Sequence, residues 1–222
     1  MFAVRAENLV KIRTIPDKDS NPVTKRIPDG VSFSVEKGEI FVIMGPSGCG
    51  KSSILRLLNR LEDPDEGSIF YNGKNIAELP VTELRRSIGL VMQIPSMFEG
   101  TVLDNILYGP SLCGADLKAK KEEIETLLPW FSFDPSILKR DPDRLSVGEK
   151  QRVNILRTIA NSPDVLLLDE PTASLDAASA AGVLEIIAGI NKMKNTTIIM
   201  VTHIPEHAEK AGGRIMMMEP VS

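Results

Sequence analysis

Ile40-Phe-Val-Ile-Met44-Gly45-Pro46-Ser47-Gly48-Cys49-Gly50-Lys51-Ser52-Ser53 joins an apolar run to a glycine-rich segment. Five apolar residues in a row are far too few to cross a bilayer and read as a buried strand. The next eight fit G-x-x-x-x-G-K-[ST], and Ile54, Leu55, Leu57, Leu58 and Leu61 then fall at helical spacing. A strand, a glycine loop and a helix in that order make a phosphate-binding loop. Its glycines let the backbone curl so that successive N–H groups point inward at phosphate oxygens. The helix adds its positive N-terminal end. Lys51 supplies a point charge for the β- and γ-phosphates, the Ser52 hydroxyl can ligate Mg²⁺, and Ser53 is placed for one more phosphate hydrogen bond. Residues Gly45, Pro46, Ser47, Gly48, Cys49, Gly50, Lys51, Ser52 and Ser53 are therefore the nucleotide-binding candidates.

Outward from this loop, strand-like and helix-like patterns alternate, which predicts an α/β fold with a mainly parallel sheet. Phe2, Val4 and Ala6, then Val31, Phe33 and Val35, alternate as edge strands. Between them Arg13–Gly30, with Pro16, Pro22 and Pro28, reads as a long loop or loose hairpin. Asn72-Gly73 between Ser68–Tyr71 and Lys74–Ile76 reads as a hairpin turn. Residues 95–162 differ in character, with charged helix-prone segments at Leu117–Leu128 and Val147–Ala160. They read as a helical insertion in a single domain spanning residues 1–222. Further strands are expected at Val165–Leu168, Thr197–Val201 and Arg214–Met218, and a helix around Ala178–Met193. In Val165-Leu-Leu-Leu-Asp169-Glu170 a buried strand ends in two carboxylates at the mouth of the sheet, where open α/β sheets bind ligands. Asp169 is expected to hold Mg²⁺, and Glu170 to polarise the attacking water as a general base.

The 222 residues include 42% apolar and 25% charged, which excludes a disordered or fibrous chain. A net charge of −4 gives no field for coating a polyphosphate backbone, so no direct nucleic-acid partner is expected. Two cysteines, Cys49 and Cys113, cannot form a disulfide framework and fit a reducing compartment. The start is too short and too charged for a leader, and no apolar run is of spanning length. The expected location is the cytoplasm, with any membrane contact made through a partner.

Leu145-Ser146-Val147-Gly148-Glu149-Lys150-Gln151-Arg152-Val153 lies about twenty residues before the acidic strand. Ser146 and Gly148 open a helix, with Glu149 three residues past Ser146 as in a capping box. The same start offers a hydroxyl and free N–H groups to an anion. Through this segment the chain resembles the ATP-binding cassette (ABC) ATPases, and the resemblance extends over nearly its whole length. LSVGE matches that family's LSGGQ signature. The other family elements come in order: Gln93 after Gly-Leu-Val-Met, Asp169-Glu170-Pro171-Thr172, Ser174-Leu175-Asp176, and His203 after Ile-Ile-Met-Val-Thr.

The resemblance implies a P-loop NTPase with a RecA-like parallel core, an amino-terminal antiparallel β subdomain and a helical insertion. It implies two copies packed head to tail, each ATP held between one phosphate loop and the other copy's signature. Carried over, Ser146, Gly148 and Glu149 serve the nucleotide across the interface, and Asp176 lines the seam. Gln93 senses Mg²⁺, His203 hydrogen-bonds the γ-phosphate, and Lys51, Glu170, Gln93 and His203 form the catalytic set. Two positions depart from the pattern. Val147 replaces the first signature glycine, so the backbone there must be ordinary, because a β-branched residue disfavours positive φ. Arg13 stands where an aromatic stacks on adenine; a guanidinium plane can also stack on a base, or another part of the 13–30 segment does this work.

The family motion passes to membrane subunits, so a permease partner is implied, docking near Met92–Thr101. There Met97 and Phe98 read either as an adaptable surface or as a satellite core. With no permease segment in the 222 residues, the chain resembles the stand-alone ATPases of bacterial transporters. The run from Gln93 to Asn105 is similar to the iron-export type, with phosphate import as the neighbouring reading. A cytosolic ABC ATPase acting on nucleic acid or ribosomes, and a small-molecule kinase, are the competing classes.

Overall fold

The structure is a computed structural model that describes residues 1–16 and 21–220. A parallel sheet carries the order β11-β5-β10-β9-β8, from Arg214–Met217, Ile40–Met44, Thr197–Thr202, Val165–Asp169 and Ile88–Val91. Its strands read as unbroken apolar runs because both faces are covered. Phe41, Ile43, Val165, Leu167, Ile199 and Val201 point to one core. Their alternates Val42, Met44, Leu166, Leu168, Ile198 and Met200 point to the other. The period of two along each strand thus divides the residues of one sheet between two hydrophobic layers.

The first layer is closed by α1 (Lys51–Leu58) and by an antiparallel sheet of order β4-β1-β6-β7, built from Val31–Glu36, Phe2–Val10, Glu66–Tyr71 and Lys74–Asn75. Strand β1 is an interior strand paired on both sides, not the edge its alternation suggested. Polar Arg5 and Glu7 keep the alternation visible because one face of this sheet stays wet. The Asn72-Gly73 turn has φ of 49° and 81°, the double positive φ that closes a two-residue hairpin. The 13–30 segment holds a hairpin of β2 (Ile12–Pro16) and β3 (Pro22–Arg26), and the part of that segment at residues 17–20 lies outside the described residues. Helix α1 ends at Leu58, so Leu61 falls past its end and is exposed. Arg60, at φ 50°, turns the chain away.

The second layer is closed by helices. They are α3 (Val102–Leu112), α4 (Leu117–Leu127), α5 (Val147–Ile159), α6 (Ala177–Lys194) and the short α7 (Pro205–Ala211). Helix α2 (Val81–Ser87) and α3 were not expected from periodicity. The first is two turns long, and the second carries Pro110 in its last turn. Side chains of 102–159 share one apolar cluster with the strands, so this region is packed onto the sheet.

Strand register sets which loops meet. Val201 pairs with Ile43 on one side and Asp169 on the other, and Leu168 pairs with Val91. The carboxyl ends of β5, β10, β9 and β8 therefore lie side by side on one edge. Leu167 is fully buried in the middle of this ladder. Leu167→Ala should destabilise the chain by about 2–5 kcal/mol, read from the denaturant midpoint at constant m-value.

Candidate active site

Every long helix on the second layer begins with a side chain that accepts hydrogen bonds from its first turn: Thr101 for α3, Asp116 for α4, Ser146 for α5 and Asp176 for α6. Helix α1 has none. Its N-cap is Gly50, at φ 100°, with no side-chain cap and no acidic residue in the first turn. The first N–H groups of a helix need an acceptor, and here they are left for an anion from outside the chain. Gly48, at φ 81°, helps curl the loop into that cradle. Lys51 is 5% exposed, and its ammonium donates to the carbonyls of Gly45 and Pro46, 2.8 Å each. It is held at the mouth of the cradle by neutral acceptors that a phosphate oxygen outcompetes.

Beside the loop, the Ser52 hydroxyl donates to Asp169 Oδ1 at 2.7 Å. Burial pushes the Asp169 carboxyl above its usual range, and the Ser52 hydrogen bond opposes this only in part. A hydroxyl and a buried carboxylate in contact, with one weak donor against the negative charge, form a donor set that fits Mg²⁺. Glu170 comes next at φ 43°, a left-handed conformation that costs a non-glycine residue on the order of 1–3 kcal/mol. Its N–H is fixed by Val201 O at 3.1 Å. Its carboxylate meets His203 Nδ1 at 2.8 Å. Against an ionised carboxylate, which only accepts, the contacting Nδ1 is the donor, and Nε2 is left for a second partner. Gln93 lies exposed two residues beyond Val91, on the same edge of the sheet.

Arg13 extends from β2 over the start of α1. Its Nη2 donates to Ser53 Oγ at 3.3 Å and makes an ion pair with Glu62. No motif or spacing pointed to Glu62 as its partner. In-plane hydrogen bonds of this kind orient a guanidinium without using its flat face.

The signature segment opens α5, which packs in the other hydrophobic layer from α1, and no hydrogen bond among the described residues joins it to the phosphate loop. The Ser146 hydroxyl accepts from Glu149 N–H at 3.2 Å, while Glu149 Oε2 accepts from Ser146 N–H at 2.8 Å, completing a capping box. Burial opposes ionisation of Glu149, but the Ser146 groups and Arg140, 3.0 Å away, hold its carboxyl below the usual range. Its carboxylate is thus committed within the chain. Val147 is the first helical residue, free of positive φ and over half exposed. A Cβ on Gly148 would meet Ser179 Oγ at 3.2 Å, so this glycine permits α5 to start against the start of α6. There Asp176 accepts from the Ser179 hydroxyl at 2.6 Å, and these bonds keep its carboxyl below the usual range. Ser146, Gly148 and Asp176 therefore share one edge, a grouping that spacing alone does not show.

A family profile described as ABC transporter matches residues 28–173. The chain belongs to the ABC transporter ATPase family. It is 42% identical over 193 residues to ABC transporter I family member 17 of Arabidopsis thaliana, covering 87% of this chain and 73% of that one. Protein STAR1 of Oryza sativa subsp. japonica is 40% identical over 189 residues, covering 85% of this chain and 54% of that protein. The chain thus spans about half the length of some curated relatives. Among solved structures, the dimeric cassette MJ0796 bound to ADP and phosphate superposes with a TM-score of 0.83 at 27% identity, covering 97% of this chain and 95% of that one. The fold is that of a P-loop ABC ATPase, with the parallel core and the amino-terminal antiparallel sheet in place. No described helix is long and apolar enough to cross a membrane.

Asp169 sets a pH-dependent prediction. A carboxyl whose folded pKa is raised favours the folded state at low pH, and that contribution is lost as pH rises through the folded value. Asp169→Asn should therefore raise the melting temperature of the metal-free protein at neutral pH, and the gain should vanish in acid. The same variant should lose the further stabilisation that MgATP gives the wild type. Thermal melts at two pH values, with and without MgATP, check both.

Proposed function

We propose that the chain binds MgATP between two copies of itself, hydrolyses it, and drives a separate membrane permease from the cytoplasmic face. The observation that carries this reading is the pair of helix starts at α1 and α5: the short α2 and α7 also lack a side-chain cap, but among the described helices only α1 opens on a glycine loop with a buried lysine. The N-terminus of α1 is uncapped beside Lys51, while the Ser146 helix start stands on a separate edge with its exposed Val147. The cradle opens α1 in one hydrophobic layer and the signature opens α5 in the other, and in this reading a second copy supplies the missing half. That the MJ0796 cassette is described as a dimer supports the same arrangement for a relative.

In this reading Gly48 and Gly50 present N–H groups to the phosphates, and Lys51 leaves its two carbonyls for the β- and γ-phosphates. Ser53 and Arg13 hold the α-phosphate side and the base. Ser52, Asp169 and Gln93 hold Mg²⁺, which when bound neutralises charge on the phosphates. Glu170 accepts a proton from the attacking water, and His203 turns between Glu170 and the γ-phosphate. Ser146, Gly148 and Asp176 close the site from the other copy. Glu149 acts through the capping box that sets the direction of the Ser146 hydroxyl.

A permease segment docks beside β8 in a groove of about 280 Å³ lined by Arg85, Arg86, Leu90, Phe98, Tyr108 and Arg157. Phe98 is 47% exposed, its ring centroid lies 4.8 Å from that of Tyr108, and the Arg157 guanidinium sits over it at 5.3 Å. Met97 instead packs partly into the core, so the two residues divide the docking and core roles. An aromatic floor ringed by three arginines suits an amphipathic segment with acidic residues. The helical stretch 95–162 acts as the subdomain that carries this groove. For cargo, the 93–105 run favours export of an iron-type metal, with specificity residing in the membrane subunit.

Glu170→Gln should bind ATP normally and lose about 10²–10⁴ of its turnover. The same variant should form a stable dimer with MgATP in sedimentation, and near-normal steady-state hydrolysis would refute the role of Glu170. Arg13→Ala should weaken ATP binding and reduce the preference for ATP over GTP, checked by titration calorimetry with both nucleotides.

A further inference from the structure

Beyond Glu170 the chain runs through Pro171 and Thr172 into a tight turn, closed by Ala173 N–H on Glu170 O at 3.2 Å and Leu175 N–H on Thr172 O at 3.3 Å. Thr172 is 2% exposed, and its hydroxyl meets His207 Nδ1 at 2.8 Å. His207 lies on α7, four residues after His203, so both rings come from one short segment and reach the same loop. The first grips the Glu170 carboxylate and the second grips Thr172, two residues on. Helix α7 is a firm base for this, since Ala208 and Ala211 are buried and Pro205 occupies its first turn. At its start, Ile204 N–H is held by Thr202 Oγ1 at 3.1 Å, tying it back to β10.

We propose that His207 is a positioning residue for hydrolysis, holding the Glu170 loop through Thr172 while His203 changes partner. The proposal rests on the reading of Glu170 as the general base. When His203 turns to a phosphate oxygen, Glu170 gives up its side-chain tether. A residue at φ 43° then keeps its geometry only if the flanking chain is fixed. The Thr172–His207 bond fixes it from a helix that does not take part in the exchange. A hydroxyl both donates and accepts, so this bond closes with either ring tautomer of His207.

The test is steady-state ATP hydrolysis by the full chain for the wild type, Glu170→Gln, His207→Ala, His207→Gln, Thr172→Val, Thr172→Ser and the His207→Ala/Thr172→Val pair. His207→Ala and Thr172→Val should each lower kcat about 10- to 100-fold, the scale of a misplaced reacting group. KM for ATP should stay within about two-fold, since nucleotide binding is not involved. The double variant should be no slower than the slower single one, because both break the same bond. His207→Gln and Thr172→Ser should recover most of the rate. Additive losses, unchanged kcat, or a joint fall in affinity and rate would overturn the clamp. Should His207→Ala fail to fold by circular dichroism, the Thr172→Val and Thr172→Ser pair decides alone. Full turnover by Glu170→Gln would overturn the general-base reading and the clamp with it. A dead Glu170→Gln beside a fully active His207→Ala would overturn the clamp only.

Discussion

The in-register parallel ladder is the constraint on which the site depends. Because Ile43, Val201 and Asp169 are level across β5, β10 and β9, and Val91 is level with Leu168, four loops leave the sheet at the same edge. Those loops carry Lys51, His203, Glu170 and Gln93. A slip of one residue in β9 would turn Asp169 to the opposite face and move Leu168 out of the helical layer. Burial on both faces prevents that slip, since each strand has apolar partners above and below. The same packing that stabilises the sheet thus aligns the phosphate cradle with the acidic pair.

Capping separates the long helices of the second layer from α1, although the short α2 and α7 also lack a side-chain cap. Four long helices satisfy their first N–H groups with their own side chains. Helix α1 does not, and it is the one beside a buried ammonium and a buried carboxylate. The Ser146 start is an intermediate case: its hydroxyl is engaged in a capping box, yet it sits on an exposed edge with Gly148 drawn tightly against Ser179. A phosphate presented by a second copy would compete with the Glu149 carboxylate for the proton of the Ser146 hydroxyl.

Much of the fold was legible because its strongest signals are local. A five-residue apolar run followed by glycine is of strand length and too short for a helix of its own, and G-x-x-x-x-G-K-S states its own geometry. Less legible were α2, too short for a period to emerge, and α3, masked by Pro110. The interior position of β1 was hidden because a strand paired on both sides still alternates when one face is wet. At the site, residue identities were readable but several partners were not. Glu62 for Arg13, Ser179 for Gly148 and His207 for Thr172 are separated from their partners by 49, 31 and 35 residues. No spacing rule reaches across such distances.

By itself the sequence determined the phosphate-loop identity, the acidic strand end and the family, because each depends on residue types held close along the chain. Tertiary structure decided which groups meet: that Ser52 touches Asp169, that His203 holds Glu170, and that the Ser146 helix packs in the other layer from α1. The physical reason is that propensity and pattern act over a turn or two of chain, while sheet order and register, set by burial over the whole domain, choose the neighbours.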